Sequence, residues 1–136
     1  MYTMWGSKMK ILFVCNGNVA RSQMAEALWN EFYGEGTAFS AGVNPNYELA
    51  DQFKVVMGEW SVPIDGHRSK HINEFNLEDF DIVVTFSQDA FNYVVIDNKY
   101  NQHKHFDVPD PGWNGSIEEY KNVRKIIHSI VMVGLS

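Results

Sequence analysis

The chain of 136 residues is 45% hydrophobic and 21% charged, enough for one substantial core and too short for two ordinary domains. Its 17 acidic and 11 basic residues give a net charge of −6, which works against non-specific nucleic-acid binding, so any anion site has to be local. No apolar run reaches the roughly 18 residues of a membrane span, and the start lacks a signal-peptide pattern. A single cysteine cannot build an internal disulfide framework, so the expectation is a cytoplasmic protein of a reducing compartment, with no membrane and no nucleic-acid partner.

Residues 1–8 match no pattern and read as an N-terminal extension or a cloning remnant, leaving residues 9–136 as one domain. Residues 10–14 read as a short buried strand that ends at Cys15. The segment Cys15-Asn16-Gly17-Asn18-Val19-Ala20-Arg21-Ser22 then runs into the helical spacing of Met24, Ala25, Leu28 and Phe32, which stops at Gly34. Unpartnered N–H groups at a helix start, with the positive end of the helix dipole, favour an anion there. The same field favours thiolate over thiol, and a thiolate is a nucleophile. Arg21 offers a planar fork of donors that grips two oxygens of a phosphate-like group. Gly17 is expected to supply a positive φ that turns the loop amides inward, and Ser22 a hydroxyl for the sulfur. A lone cysteine at a strand end is most often a small buried hydrophobe; the coincidence of strand, glycine-bearing loop, arginine, hydroxyl and helix favours chemistry instead.

Further along, residues 37–40 read as a strand, Ala41-Gly42 as a turn, and Leu49, Phe53, Val56, Met57 and Trp60 as one face of a helix. Residues 81–86 form the clearest β-type run, residues 88–96 a short helix and residues 103–106 a last strand. Ile117, Tyr120, Val123, Ile127, Ile130 and Val131 line a C-terminal helix. This alternation predicts a parallel sheet with helices on both faces, in which ligands bind beyond the carboxyl ends of the strands. Cys15 and Asp110 both follow strands, so their loops can meet in one crevice. A protonated carboxyl beside a leaving oxygen is worth about 100 to 10,000-fold in rate. Pro109 and Pro111 restrict the backbone around Asp110, and Asp107 is the reserve candidate. Against this stands the ordinary reading of a solvated turn aspartate. His67 and His71 would share a helix face, but Arg68 and Lys70 beside them disfavour a cation and two imidazoles are too few, so no metal is expected. Trp113 is the best aromatic candidate for a pocket wall, with Tyr47 a second; its spacing assigns Trp60 to the core.

The run from Val14 through Arg21-Ser22-Gln23-Met24-Ala25-Glu26-Ala27 resembles the phosphate loop and first helix of the low-molecular-weight protein tyrosine phosphatase superfamily, which also contains thiol-linked arsenate reductases. The resemblance continues through Phe39-Ser40-Ala41-Gly42-Val43, Gly66-His67-Arg68-Ser69-Lys70, Phe80-Asp81-Ile82-Val83-Val84-Thr85 and Asp107-Val108-Pro109-Asp110-Pro111. It implies an α/β fold of three layers, a four-stranded parallel sheet between helices. It also implies that Cys15 forms a phosphocysteine, that Arg21 binds the phosphoryl oxygens, and that Asp110 protonates the leaving group and then activates water. Asn16, Gly17, Asn18, Val19, Ala20, Arg21 and Ser22 would form the phosphate-binding loop, Asn18 and Ser22 shaping it and stabilising the thiolate, with Ser40 in the same hydrogen-bond network. Neither cofactor nor metal is needed, because Arg21, the loop amides and the helix dipole supply the electrostatics.

The chain departs from that pattern at Ala20, Gln23 and Gly112-Trp113, where these phosphatases commonly carry a cysteine, a proline and tyrosines. Gln23-Met24-Ala25-Glu26 leans toward the arsenate reductases. Thioredoxin-linked reductases need two further cysteines at the places of Ser87 and about Val94, so a self-contained disulfide relay is excluded. Three readings follow. The first is a phosphatase acting on a phosphorylated protein or small aryl phosphate. The second is an arsenate reductase served by an external thiol or glutaredoxin-like partner. The third, a non-catalytic anion-binding module, has no use for Cys15 and Asp110 together. A protonated aspartate acid also predicts an acidic activity optimum.

Overall fold

The computed structural model describes residues 9–135; the expected extension at residues 1–8 lies outside them. The elements alternate as β1 (Ile11–Cys15), α1 (Arg21–Tyr33), β2 (Ala38–Gly42), α2 (Asp51–Glu59), β3 (Ile82–Thr85), α3 (Gln88–Asp97), β4 (His103–His105) and α4 (Ile117–Ser129). Short 3-10 turns at Ile72–Glu74 and Leu77–Asp79 precede β3, and a π-helical turn, Ile130–Gly134, continues α4. The four strands form one parallel sheet in the order β2-β1-β3-β4.

Strand alternation sends the side chains of β1 into two separate cores. Ile11, Phe13 and Cys15 face α1, α2 and α4, among Met24, Leu28, Phe53, Met57, Val123 and Ile127. Leu12 and Val14 face the opposite side, with Ile72, Leu77, Phe80, Ala90 and Val94. The sheet is therefore the middle of three layers, and β1, buried on both faces, is apolar throughout as a central parallel strand has to be.

Several boundaries differ from expectation for identifiable reasons. Ala41 and Gly42 continue β2 rather than turning, because they pair in register with Val14 and Cys15. Trp29, which the apolar spacing skipped, is buried; its ring meets Phe13 edge-on at 6.4 Å and its indole N–H donates to Thr37 Oγ1 at 3.0 Å. Phe32 stays 47% exposed instead, edge-on to His128. Trp60 is not core either: it follows the last turn of α2, where the Arg124 guanidinium lies over its ring at 3.9 Å. The Arg124 Nη1 is held by Val56 O and Glu59 Oε1, which fixes the cation in place over the indole.

Candidate active site

All four strands point their carboxyl ends to one edge, so the segments after β1, β2 and β4 meet there, as the parallel topology requires. A cavity of about 520 Å³ opens between them, lined by Cys15, Arg21, Asn44, Glu48, Asp110 and Trp113 among others.

Cys15 ends β1 and is 2% exposed. Its Sγ lies 2.9 Å from Ser22 Oγ and accepts the Asn18 backbone N–H at 3.3 Å. The direction of the Ser22 contact follows from its neighbours. Asn18 Nδ2 donates to Ser22 Oγ at 2.8 Å and to Ser40 Oγ at 3.0 Å, using both amide hydrogens. The hydroxyl hydrogen of Ser22 is thus left for the sulfur, and that of Ser40 goes to Glu26 Oε1 at 2.6 Å. The other end of the Asn18 side chain is equally occupied, because Oδ1 accepts the Lys70 N–H at 2.9 Å and Gln23 Nε2 at 3.0 Å. Two donors therefore converge on Sγ, the arrangement that stabilises sulfur as an anion.

The loop achieves this through Asn18 rather than Gly17. Asn18 has φ +54°, the left-handed region that asparagine tolerates when its side chain is hydrogen-bonded. Gly17 avoids that region, and an added Cβ there would meet only Val19 methyls at 3.7 and 3.9 Å. The glycine that the loop does require is Gly42 on the neighbouring strand, where a Cβ would fall 2.7 Å from Asn16 O and 3.0 Å from Asn18 N. The sequence offered a signal for this in Gly42 standing level with Cys15, but it becomes legible only once the strand register is known.

Arg21 opens α1, and none of the described side chains caps that helix at Ala20. Its Nη1 donates to Val108 O at 3.0 Å and more distantly to Phe86 O at 3.4 Å. Those carbonyls belong to the segments after β4 and β3, so the guanidinium is anchored from two loops while Nη2 stands 3.7 Å from Asp110 Oδ2. Asp110 itself is exposed, and its Oδ1 accepts the N–H of Gly112, whose φ is +77°. Gly112 O in turn accepts the Tyr120 phenol at 2.6 Å. Burial first, and then Asp110, push that phenol above its usual range, so it remains a donor at neutral pH. Trp113 is 47% exposed at the cavity wall, and Gln52 of α2 fixes its segment by donating to Trp113 O at 3.0 Å and Gly115 O at 2.8 Å.

The remaining candidates are not among the lining residues of the cavity. Asp107 pairs with His105 at 3.0 Å, and Tyr47, 66% exposed, is not among the lining residues. His67 and His71 do not share a helix face, since residues 66–70 are not helical; His71 Nδ1 instead accepts the Asn73 N–H. The side chains of Asn18 and Ser22 act from behind the cradle rather than on its surface, being fully buried. Sequence reasoning passed over the group that supports them: Gln23, Glu26, His67 and Lys70. The usable signal was Glu26 standing one helical turn after Ser22, a charge aligned with the side of α1 that reaches the sulfur.

The model of the low molecular weight phosphotyrosine protein phosphatase family matches residues 10–132. The chain belongs to this family. An arsenate reductase of Staphylococcus aureus (strain N315) is 37% identical over 105 residues, covering 75% of this chain and 79% of the relative. The low molecular weight protein-tyrosine-phosphatase YfkJ of Bacillus subtilis (strain 168) is 27% identical over 134 residues, covering 80% and 84%. Among solved structures, a mutant of the arginine phosphatase YwlE with a phosphorylated active-site serine superposes with a TM-score of 0.79 at 26% identity, covering 90% and 91%. A solved arsenate reductase in the phosphate binding state superposes with a TM-score of 0.76 at 26% identity, covering 91% and 94%; the fold is thus shared by phosphatases and an arsenate reductase, and the chain is an enzyme of this kind. Among the described residues, no helix is long and apolar enough to cross a membrane.

Proposed function

We propose that the chain is a phosphomonoester phosphatase of the phosphotyrosine type, with Cys15 as nucleophile, Arg21 as phosphoryl anchor and Asp110 as acid and base. The observation that carries the reading is the pair of donors, Ser22 O–H and Asn18 N–H, aimed at Cys15 Sγ in a cavity that Asp110 also lines. In the first step Sγ attacks phosphorus, the ester P–O bond breaks, and the Asp110 carboxyl gives its proton to the departing oxygen. In the second, the Asp110 carboxylate takes a proton from water as its oxygen attacks phosphorus. The P–S bond then breaks, phosphate leaves and the thiolate is restored. Arg21 and the loop N–H groups hold the equatorial oxygens through both steps. Trp113 at the wall suits an aromatic leaving group, either a phosphorylated protein side chain or a small aryl phosphate. The reaction suits a reducing, cytoplasmic setting in which Cys15 stays reduced.

A second reading is favoured by the identity to the Staphylococcus aureus arsenate reductase. It needs an external thiol, because the 136 residues hold one cysteine, and the relay positions carry Ser87, which caps α3, and Val94, which is buried. Assays of aryl phosphate hydrolysis and of arsenate-dependent thiol consumption, on wild type and Cys15→Ser, separate the alternatives. Phosphate release lost in Cys15→Ser is the expected result. Thiol consumption without phosphate release selects the reductase, and neither activity leaves an anion-binding module.

A further inference from the structure

Behind the loop lies a charged pair that the chemistry above does not use. Lys70 is 8% exposed, and its Nζ donates to Arg68 O at 3.1 Å and Ser40 Oγ at 3.3 Å while standing 3.7 Å from Glu26 Oε1. Glu26 Oε1 also accepts the Ser40 hydroxyl. The other charged or titratable groups around the pair are His67, with Nε2 3.7 Å from Glu26 Oε2, and the exposed Arg68 and Glu74, paired with each other at 2.7 Å. Burial pulls the Lys70 ammonium below the ordinary lysine value, and Glu26 opposes that pull. Taking two charges out of water is costly, and apolar residues of similar size often serve stability as well or better. The pair therefore calls for a role besides holding the fold together.

Its connections supply one. Ser40 Oγ accepts from Lys70 and Asn18 and donates to Glu26, so all its hydrogen-bonding capacity is committed. Asn18 is thereby kept with Nδ2 toward Ser22, in a left-handed conformation that needs such support. Were the amide of Asn18 to turn over, its oxygen would face Ser22, and the Ser22 hydrogen would leave the sulfur for that oxygen. We propose that Lys70 and Glu26 are positioning residues which, through Ser40 and Asn18, keep the Ser22 O–H and the Asn18 N–H directed at Cys15 Sγ. The inference rests on Cys15 being the reactive group, and it is tested on the sulfur directly.

The experiment is the rate of iodoacetamide alkylation of Cys15 against pH in the full chain, for wild type, Lys70→Met, Lys70→Gln and Lys70→Arg, each checked for folding by thermal melting. Lys70→Met and Lys70→Gln are expected to move the midpoint upward and to slow alkylation below the wild-type midpoint by about tenfold, the size of effect that one charge-assisted hydrogen bond carries. Lys70→Arg, which keeps the charge and donors, is expected to stay close to wild type. The same neutral variants should lower kcat for an aryl phosphate while leaving KM little changed. Should Lys70→Met fail to fold, Lys70→Gln decides. Midpoints coinciding with wild type in folded neutral variants overturn the proposal, as does a Lys70→Arg variant as impaired as Lys70→Met, which would mean that packing rather than charge matters. A wild-type chain that hydrolyses no aryl phosphate would defeat the proposed activity, while the alkylation midpoints would still decide the role of Lys70.

Discussion

The two segments that meet over the cavity are built on opposite principles. Residues 15–22 are buried or half-buried, with the side-chain amide of Asn18 fully engaged from Ser22, Ser40, Gln23 and Lys70. In residues 107–113 the aspartates and Trp113 are exposed, and the segment is tied down by the Arg21 contact to Val108 O, the Tyr120 phenol and Gln52. A cradle for an anion gains from donors fixed before the ligand arrives, since they need no reorganisation during reaction. An acid and an aromatic wall have to accommodate leaving groups of different shape, and a segment with few anchors does that. On the proposed reaction, charge recognition falls to the first segment and leaving-group recognition to the second.

If the second segment supplies the proton, Asp110→Asn is expected to lower aryl phosphate turnover by about 100 to 10,000-fold. Ester substrates with a poor leaving group should lose most, and those with a highly acidic phenol least, because the latter needs no proton. Equal losses of kcat/KM across such a series, which reports the step that expels the leaving group, would show that Asp110 gives that group no proton. In the first segment, Arg21→Lys is expected to cost about 100 to 1,000-fold, since a single ammonium cannot hold Val108 O and two phosphoryl oxygens together. Here the loss should be similar for every leaving group, measured as kcat/KM on the same series.

The same contrast explains what could be read from the sequence. Cys15, Arg21 and Ser22 lie on one short stretch whose spacing carries its own chemistry, and the alternation of elements led to the parallel sheet with helices on both faces. Boundaries slipped where pairing overrode local signals, as at Ala41-Gly42, whose small residues read as a turn yet pair with Val14 and Cys15. Gly17 drew an expectation that Asn18 and Gly42 meet instead, because a close backbone approach is a property of two neighbouring strands and no single segment contains it. Lys70, far along the chain from Cys15, drew notice on its own only as a charge that keeps cations from the neighbouring histidines. Its burial comes from the bridge between Gly42 and His71, which draws the segment against β2.

Gly42→Ala tests that close approach. The added Cβ meets backbone at 2.7 Å from Asn16 O, so the loop or the strand must move, at a cost of about 1 to 3 kcal/mol measurable by urea unfolding. Activity should fall further than that loss of stability implies, because the displaced backbone carries the Asn18 N–H. On the other segment, Trp113→Ala should raise KM for aryl phosphates by about tenfold or less while sparing kcat, as expected for contacts made equally in ground and transition states. A fall in kcat instead would mean that the indole also positions Asp110.

The smallest effect expected comes from His67, which supports the first segment from behind. Gln23 Nε2 donates to Asn18 O, Asn18 Oδ1 and Arg68 O, so Gln23 Oε1 is an acceptor and His67 Nδ1 carries the hydrogen shared with it at 2.7 Å. Burial, the largest influence, lowers the His67 pKa below its ordinary 6.5; Lys70 acts in the same direction and Glu26 against it. Lowering means that the folded chain keeps this imidazole neutral where the unfolded chain would protonate it. Stability from this group is therefore present above pH 6.5 and is lost as pH falls through that value toward the folded pKa, at a slope of at most about 1.4 kcal/mol per pH unit. His67→Gln retains a donor for Gln23 and cannot titrate. Its unfolding free energy, followed by urea denaturation across mildly acidic pH, should decline less steeply than that of wild type. Parallel curves would mean that the imidazole finds a partner for its second proton in the folded state, a place that Glu26 Oε2, 3.7 Å from Nε2, can fill.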